Sequence, residues 1–233
     1  MGSPIYIQIH NDMKKTIESG EWEVGNRIPA ERELAVVFGV SRMTLRQAIQ
    51  TLVDEGILER HVGDGTYVAR KKVQEKMSGV TSFTDLMAEQ GKVASSKTIT
   101  YHVTTPSLSE IEKLQLSDGE LVLRMERIRY ADGLPICFEV ATVPNKLVDG
   151  YSKTEITSSL YRTLEEKAEL TLGGAQQTVS AMSAAENIAD YLSIKRGEAI
   201  LRLRQVSFLK NGEPFEYVRT QYVGNRFEFY LEK

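Results

Sequence analysis

Between Pro29 and Val68 the chain runs Pro29-Ala30-Glu31-Arg32-Glu33-Leu34-Ala35, then Phe38-Gly39-Val40-Ser41-Arg42-Met43-Thr44-Leu45-Arg46-Gln47-Ala48, then Gly56-Ile57-Leu58-Glu59-Arg60, and closes with Gly63-Asp64-Gly65-Thr66-Tyr67-Val68. A short helix, a turn holding a glycine, a second helix and two brief strands around a glycine pair describe a winged helix-turn-helix. Ser41 marks the start of the second helix, because its hydroxyl can accept an unpaired backbone N–H, and Gly56 marks its end. Leu45, Ala48, Ile49, Leu52 and Val53 recur at helical spacing as one apolar stripe. Met43, Thr44, Arg46, Gln47 and Gln50 then point away from it, with Arg42 in the first turn. These side chains suit a major groove, where an arginine fork matches guanine and glutamine can bridge adenine, while the helix N-terminus favours a phosphate. Two arginines on a polar helix face are more often simply solvated. The neighbouring wing, together with Arg32 one helix earlier, shifts the balance to DNA.

For the chain as a whole, 233 residues with 41% hydrophobic and 26% charged are ordinary for a globular protein of one large or two modest domains. A net charge of −3 argues against a generic polyanion binder, so any nucleic-acid contact must come from a local basic patch. The single cysteine, Cys137, cannot form an internal disulfide, and no apolar run reaches membrane-spanning length; a cytoplasmic location is expected. His10, His61 and His102 are scattered without metal-ligand spacing, so no metal, cofactor or catalytic centre is expected.

Before the quoted stretch, Ile5, Ile9, Met13 and Ile17 predict an amphipathic helix. After it, the stretch from Val68 to Lys76 carries Arg70, Lys71, Lys72 and Lys76 and reads as an exposed linker and candidate hinge. The expected division is a DNA-binding domain over 4–69, a linker over 70–78 and a second domain over 79–233.

The second domain holds an internal repeat. Ser109-Glu110-Ile111-Glu112-Lys113-Leu114-Gln115-Leu116 and Gly119-Glu120-Leu121-Val122-Leu123-Arg124 return, 78 residues later, as Asn187-Ile188-Ala189-Asp190-Tyr191-Leu192-Ser193-Ile194 and Gly197-Glu198-Ala199-Ile200-Leu201-Arg202. Each copy runs from a helix into a strand, turns at Asp132-Gly133 or Asn211-Gly212, and returns on a second strand. The fold class is α+β, a mixed and largely antiparallel sheet with flanking helices. Where the first copy has Arg127 and Arg129, the second has Gln205 and Ser207. By strand parity the arginines continue the row of Leu121, Leu123 and Met125. On a partly buried face such a pair needs an anion, a carboxylate or phosphate; where the row emerges into solvent, both simply hydrate. Thr81-Ser82-Phe83-Thr84-Asp85, with Asp85 placed as in a capping box, and Thr157-Ser158-Ser159-Leu160-Tyr161 each predict a hydroxyl-rich helix start, which ordinary capping explains and which can also hold a phosphate.

The first stretch resembles the GntR family of bacterial transcriptional regulators, and the resemblance implies that Arg32, Ser41, Arg42, Thr44, Arg46, His61 and the wing glycines Gly63 and Gly65 approach operator DNA. Val62 and Asp64 stand where relatives often carry a basic residue, leaving His61 as the main polar reader of the wing. Ser82-Phe83-Thr84, Arg127-x-Arg129, Pro135 with Glu139, Ser159-x-Tyr161 and Phe215-Glu216 with Tyr222 resemble the UTRA effector domain of the HutC branch, chorismate-lyase-like in fold. By these motifs the chain is most similar to branch members that regulate N-acetylglucosamine use and respond to phosphorylated amino sugars. The resemblance implies that Ser82, Phe83, Thr84, Arg127, Arg129, Ser158, Ser159 and Tyr161 surround a phosphate, and that Glu139, Glu216 and Tyr222 address the sugar. It further implies a repressor, bound as a homodimer to a pseudo-palindromic operator and released by a small anionic effector, a sugar phosphate. The alternative is a sugar-phosphate-processing enzyme with an appended winged helix; Glu139 and Glu216 could be posed as its acid and base, although nothing in the sequence sets their separation.

Overall fold

The computed structural model describes residues 3–61, 63–77 and 81–232. It divides into two compact units, Met1–Lys71 and Lys72–Lys233. In the first, α1 (Ile5–Glu18) buries Ile9 and Met13, whereas Ile5 at its start stays exposed. Next, α2 (Glu31–Val37) opens where the Glu33 carboxylate accepts the Ala30 N–H at 3.2 Å. The third helix, α3 (Arg42–Asp54), opens where the Thr44 N–H donates to Ser41 Oγ at 3.1 Å. Its apolar stripe, Leu45, Ala48, Ile49 and Leu52, packs with Leu34, Ile9 and Met13 into one core. Gly56 ends the helix segment with φ of +69°, a backbone region that glycine enters freely. Strands β1 (Leu58–His61) and β2 (Gly65–Val68) pair antiparallel as the wing and cover the core with Leu58 and Val68. Val62 lies outside the described residues.

The second unit runs β3 (Val73–Lys76), α4 (Phe83–Glu89), β4 (Ala94–Thr104), α5 (Leu108–Leu114), β5 (Val122–Ala131), β6 (Leu134–Pro144), α6 (Lys153–Ser158), α7 (Leu160–Glu166), β7 (Leu172–Ser183), α8 (Glu186–Leu192), β8 (Ala199–Leu209), β9 (Pro214–Val223) and β10 (Phe227–Tyr230). Six strands form an antiparallel sheet in the order β4-β5-β6-β9-β8-β7. The order restates the sequence repeat and extends it. Each copy is a strand, a helix and a hairpin, and the two copies meet at β6 and β9. Equivalence reaches single residues: Gln115 and Ser193, 78 apart, close α5 and α8 in the left-handed conformation at φ of 53° and 51°. On one face, α5 packs Leu114 against Val122, Val206 and Tyr217, and α8 packs Ile188 and Leu192 against Ile128, Phe138 and Ile200. The opposite face carries α6 and α7 over Leu123, Met125 and Val218, and α4 over Cys137, Leu203 and Tyr222.

Three expectations need correction. The stretch 70–78 is not a bare linker, because β3 lies within it and pairs parallel to β10. Val73, 2% exposed, supplies the anchor, and the partner strand lies some 150 residues away, where local sequence cannot announce it. Ser78 in that stretch lies outside the described residues. Leu121 does not lead the arginine row, since β5 begins at Val122 and Leu121 is exposed. Finally, Thr157 and Ser158 end α6, and only Ser159 opens α7.

Candidate functional site

On the sheet face under α4, α6 and α7, ten of the eleven residues expected at an effector line one cavity of about 60 Å³: Ser82, Phe83, Thr84, Arg127, Arg129, Glu139, Ser159, Tyr161, Glu216 and Tyr222. The eleventh, Ser158, faces a neighbouring pocket with Thr84, Ser95, Ser96 and Thr98. Strand alternation explains the gathering, since Arg127 and Arg129 on β5 share a face with Glu139 on β6 and with Glu216 and Tyr222 on β9.

Both arginines are buried, each 4% exposed, so the row does not emerge into solvent. Arg127 is satisfied: its Nε donates to Glu139 Oε1 at 3.0 Å, a second guanidinium nitrogen reaches the same carboxylate, and Nη1 donates to the Thr157 carbonyl at 3.3 Å. Burial alone would raise the Glu139 carboxyl, but the charges of Arg127 and Arg129 outweigh it and hold the group below its ordinary value. Arg129 is not satisfied. Its guanidinium carbon lies 4.6 Å from the centre of the Phe83 ring, and among the described residues its Nε has no hydrogen-bond partner. Burial, then repulsion from Arg127, lowers its pKa from the ordinary value. A buried N–H of a charged group left without an acceptor costs on the order of 1–3 kcal/mol or more, a cost that an incoming anion would remove.

The other half of the cavity forms a network, beside which the buried Thr220 hydroxyl has no hydrogen-bond partner among the described residues. The Tyr161 hydroxyl donates to Glu216 Oε2 at 2.7 Å; Gln205 Nε2 donates to Ser207 Oγ at 2.8 Å and to the Tyr161 oxygen at 3.3 Å; Gln177 Nε2 donates to Gln205 Oε1 at 2.6 Å. Burial raises the Glu216 carboxyl to about 7, against the Tyr161 hydrogen bond and reinforced by the charge of Glu139. The Tyr222 ring both lines the cavity and packs on Phe227, with ring centres 3.9 Å apart. Ser82 Oγ and Ser159 Oγ each accept the backbone N–H of their own helix, at 3.1 and 3.3 Å, so ordinary capping accounts for one hydrogen bond of each hydroxyl. Sequence reasoning missed Glu75, Leu203, Val218 and Thr220 on the cavity wall, and named Gln205 only as the counterpart of Arg127.

In the first unit, Arg32, Arg42 and Met43 are exposed, and among the described residues neither of these arginines forms an ion pair. Arg46 is exposed too, but its Nε and Nη2 donate to Glu31 Oε2 at 3.2 and 3.0 Å. An exposed pair of this kind is worth about 0–1 kcal/mol. The same Glu31 receives Arg60 at 3.5 Å. Thr44 is half-buried and shares a hydrogen bond of 2.9 Å with the Ser41 hydroxyl. On the wing, His61 stacks on Tyr67 with ring centres 4.5 Å apart and approaches Glu59 at 3.3 Å. A Cβ at Gly65 would come within 2.5 Å of Arg27 Nε, whereas Gly63 turns in open space. Among the described residues, no helix is long and apolar enough to cross a membrane.

Residues 5–68 match the gntR family of bacterial regulatory proteins, and residues 89–228 match the UTRA domain. The HTH-type transcriptional repressor NagR of Bacillus subtilis is 33% identical over 97% of this chain and 93% of its own length. The mannosyl-D-glycerate transport/metabolism system repressor MngR of Escherichia coli is 28% identical over 98% and 95%. Among solved structures, PhnF of Mycobacterium smegmatis superimposes with a TM-score of 0.69 at 25% identity, covering 96% of this chain and 98% of that one. A GntR-family regulator of Enterococcus faecalis superimposes with a TM-score of 0.57 at 62% identity, covering 60% of this chain and all of that one.

Proposed function

Because the chain belongs to the gntR family of bacterial transcriptional regulators and carries a UTRA domain, we propose that it is a cytoplasmic repressor that leaves its operator when a sugar phosphate, an amino-sugar phosphate included, enters the cavity around Arg129. One observation carries the effector class: a buried guanidinium whose Nε is unpaired among the described residues lines a cavity beside a second guanidinium. A phosphate supplies the missing acceptor and offsets the desolvation of both charges. Arg127, held by Glu139, donates alongside it, while Glu216, Tyr161 and Tyr222 address the sugar. The cavity of about 60 Å³ has room for only a few waters at roughly 10–15 Å³ each. A hexose phosphate therefore has to part the start of α4 from the α6–α7 corner, and that movement gives the ligand different affinities for two states, which is what release from DNA requires.

On the DNA side, Arg32, Ser41, Arg42, Thr44, Arg46, His61, Gly63 and Gly65 form the reading surface. A winged helix reads one half-site, so a homodimer on a pseudo-palindromic operator supplies the rest. Thermal-shift screening of hexose and amino-sugar phosphates tests the effector reading; stabilisation by at least one, and none by the unphosphorylated sugar, is expected. No response to any of them contradicts it. For the DNA face, Arg46→Ala should cost about 1–3 kcal/mol of specific binding, read by titration against a duplex selected from random sequence with the wild-type chain. An unchanged affinity removes Arg46 from the reading surface.

A further inference from the structure

One wall of the cavity comes from β3, a strand outside both copies of the repeat. Glu75, the third residue of β3, lines it beside Tyr222. Its side chain is half-buried, and among the described residues no hydrogen bond or ion pair reaches the carboxylate. Burial raises this carboxyl to about 7. The strand beneath it is held on both edges. Phe227–Tyr230 pair with it on one side. On the other, the Gln90 side chain imitates a strand, accepting the Gln74 N–H at 3.0 Å and donating to the Gln74 carbonyl at 2.8 Å. Gln90 ends α4, whose start forms the rim of the cavity. In the chain, β3 begins two residues after Lys71, where the DNA-binding unit ends.

A carboxylate is the wrong partner for the phosphate that Arg127 and Arg129 attract. It suits the donor-bearing part of the same ligand. We propose that Glu75 is an effector-contacting residue that accepts a hydrogen bond from a hydroxyl or ammonium group of the sugar, and that this contact ties occupancy of the cavity to the first strand after the DNA-binding unit. The proposal rests on the cavity being the effector site. Any ordering of Glu75 acts on β3, and α4 and β10 must follow, because both are hydrogen-bonded to that strand.

The test uses the full-length chain and three probes, glucosamine 6-phosphate, glucose 6-phosphate and inorganic phosphate, titrated calorimetrically into wild type, Glu75→Gln and Glu75→Ala. The glutamine variant keeps size and shape, so it guards against a folding defect. Inorganic phosphate should bind all three proteins alike, because its partners are the arginines. At least one sugar phosphate should bind Glu75→Ala tenfold or more weakly than wild type, and its concentration for half-release of a selected DNA duplex should rise by a similar factor. A loss in Glu75→Gln larger for glucosamine 6-phosphate than for glucose 6-phosphate assigns the donor as the ammonium; equal losses assign a hydroxyl. Wild-type affinity and wild-type release in both variants would overturn the proposal while leaving the effector site intact. Failure of wild type to bind any of the three probes overturns the effector reading itself, and Glu75 with it.

Discussion

In the first copy of the repeat, Arg127 lies across from Glu139 and Arg129 across from Cys137; in the second, Gln205 lies across from Val218 and Ser207 across from Glu216. The backbone is the same helix-plus-hairpin, and both hairpins bury these positions on one sheet face. What separates them is how the side chains at these four positions are satisfied. Gln205, Ser207, Tyr161 and Glu216 close a network among themselves. Arg129 lies over the face of Phe83 and in the field of the Glu139 carboxylate, and among the described residues its Nε has no hydrogen-bond partner. Since folding alone is served by the neutral set in the second copy, the charged set in the first points to a guest. The duplicated scaffold thus acts as its own control.

Making the first copy resemble the second puts the greatest strain on that contrast. The double substitution Arg127→Gln and Arg129→Ser installs residues that the second copy already holds at the equivalent positions, and the Glu139 carboxyl left beside them should take up a proton in place of its ion pair. The double substitution removes two sets of charge-assisted hydrogen bonds worth about 1.5–3 kcal/mol each, and binding of glucosamine 6-phosphate should fall by about a hundredfold or more in calorimetry. Retention within twofold would mean that the arginines serve the fold. A smaller effect is expected in the second copy. The Glu216 carboxyl, raised to about 7 when folded, keeps a proton that the unfolded chain has released above its ordinary value near 4.5. The native state then binds more protons across that window, so stability falls as pH rises from about 5 to 7. Glu216→Gln should flatten this fall by on the order of 1–3 kcal/mol in urea melts, and an unchanged slope would contradict the assignment.

Much of this was legible in the sequence because the signals were local. Ser41 and Gly56 bracket α3, and the 78-residue offset gives the two hairpins. The arginine row followed from strand parity alone. Elements defined by distant partners were not legible. Val73-Gln74-Glu75-Lys76 has one apolar residue and a cluster of charges around it, so it reads as a tether until Phe227–Tyr230 is folded against it. Glu75 was missed for the same reason, and Thr220 because a strand threonine has no pattern of its own. The split of Thr157-Ser158-Ser159 between two helices was hidden because all three side chains can cap, and only Ser159 is in the extended conformation that a cap needs. The pairing of Arg46 with Glu31 joins residues on two helices, and no periodicity within either one predicts it.

If the orphaned Arg129 Nε–H waits for an effector oxygen, arginine Nε–H spectroscopy on the ¹⁵N-labelled chain will register its arrival, with the Arg129 signal identified by its loss in Arg129→Lys. Adding glucosamine 6-phosphate should move that signal downfield and slow its exchange with water, as a new hydrogen bond to phosphate requires. A sugar phosphate that demonstrably binds while the Arg129 Nε–H signal stays unmoved would show that this guanidinium is not the anchor of the site.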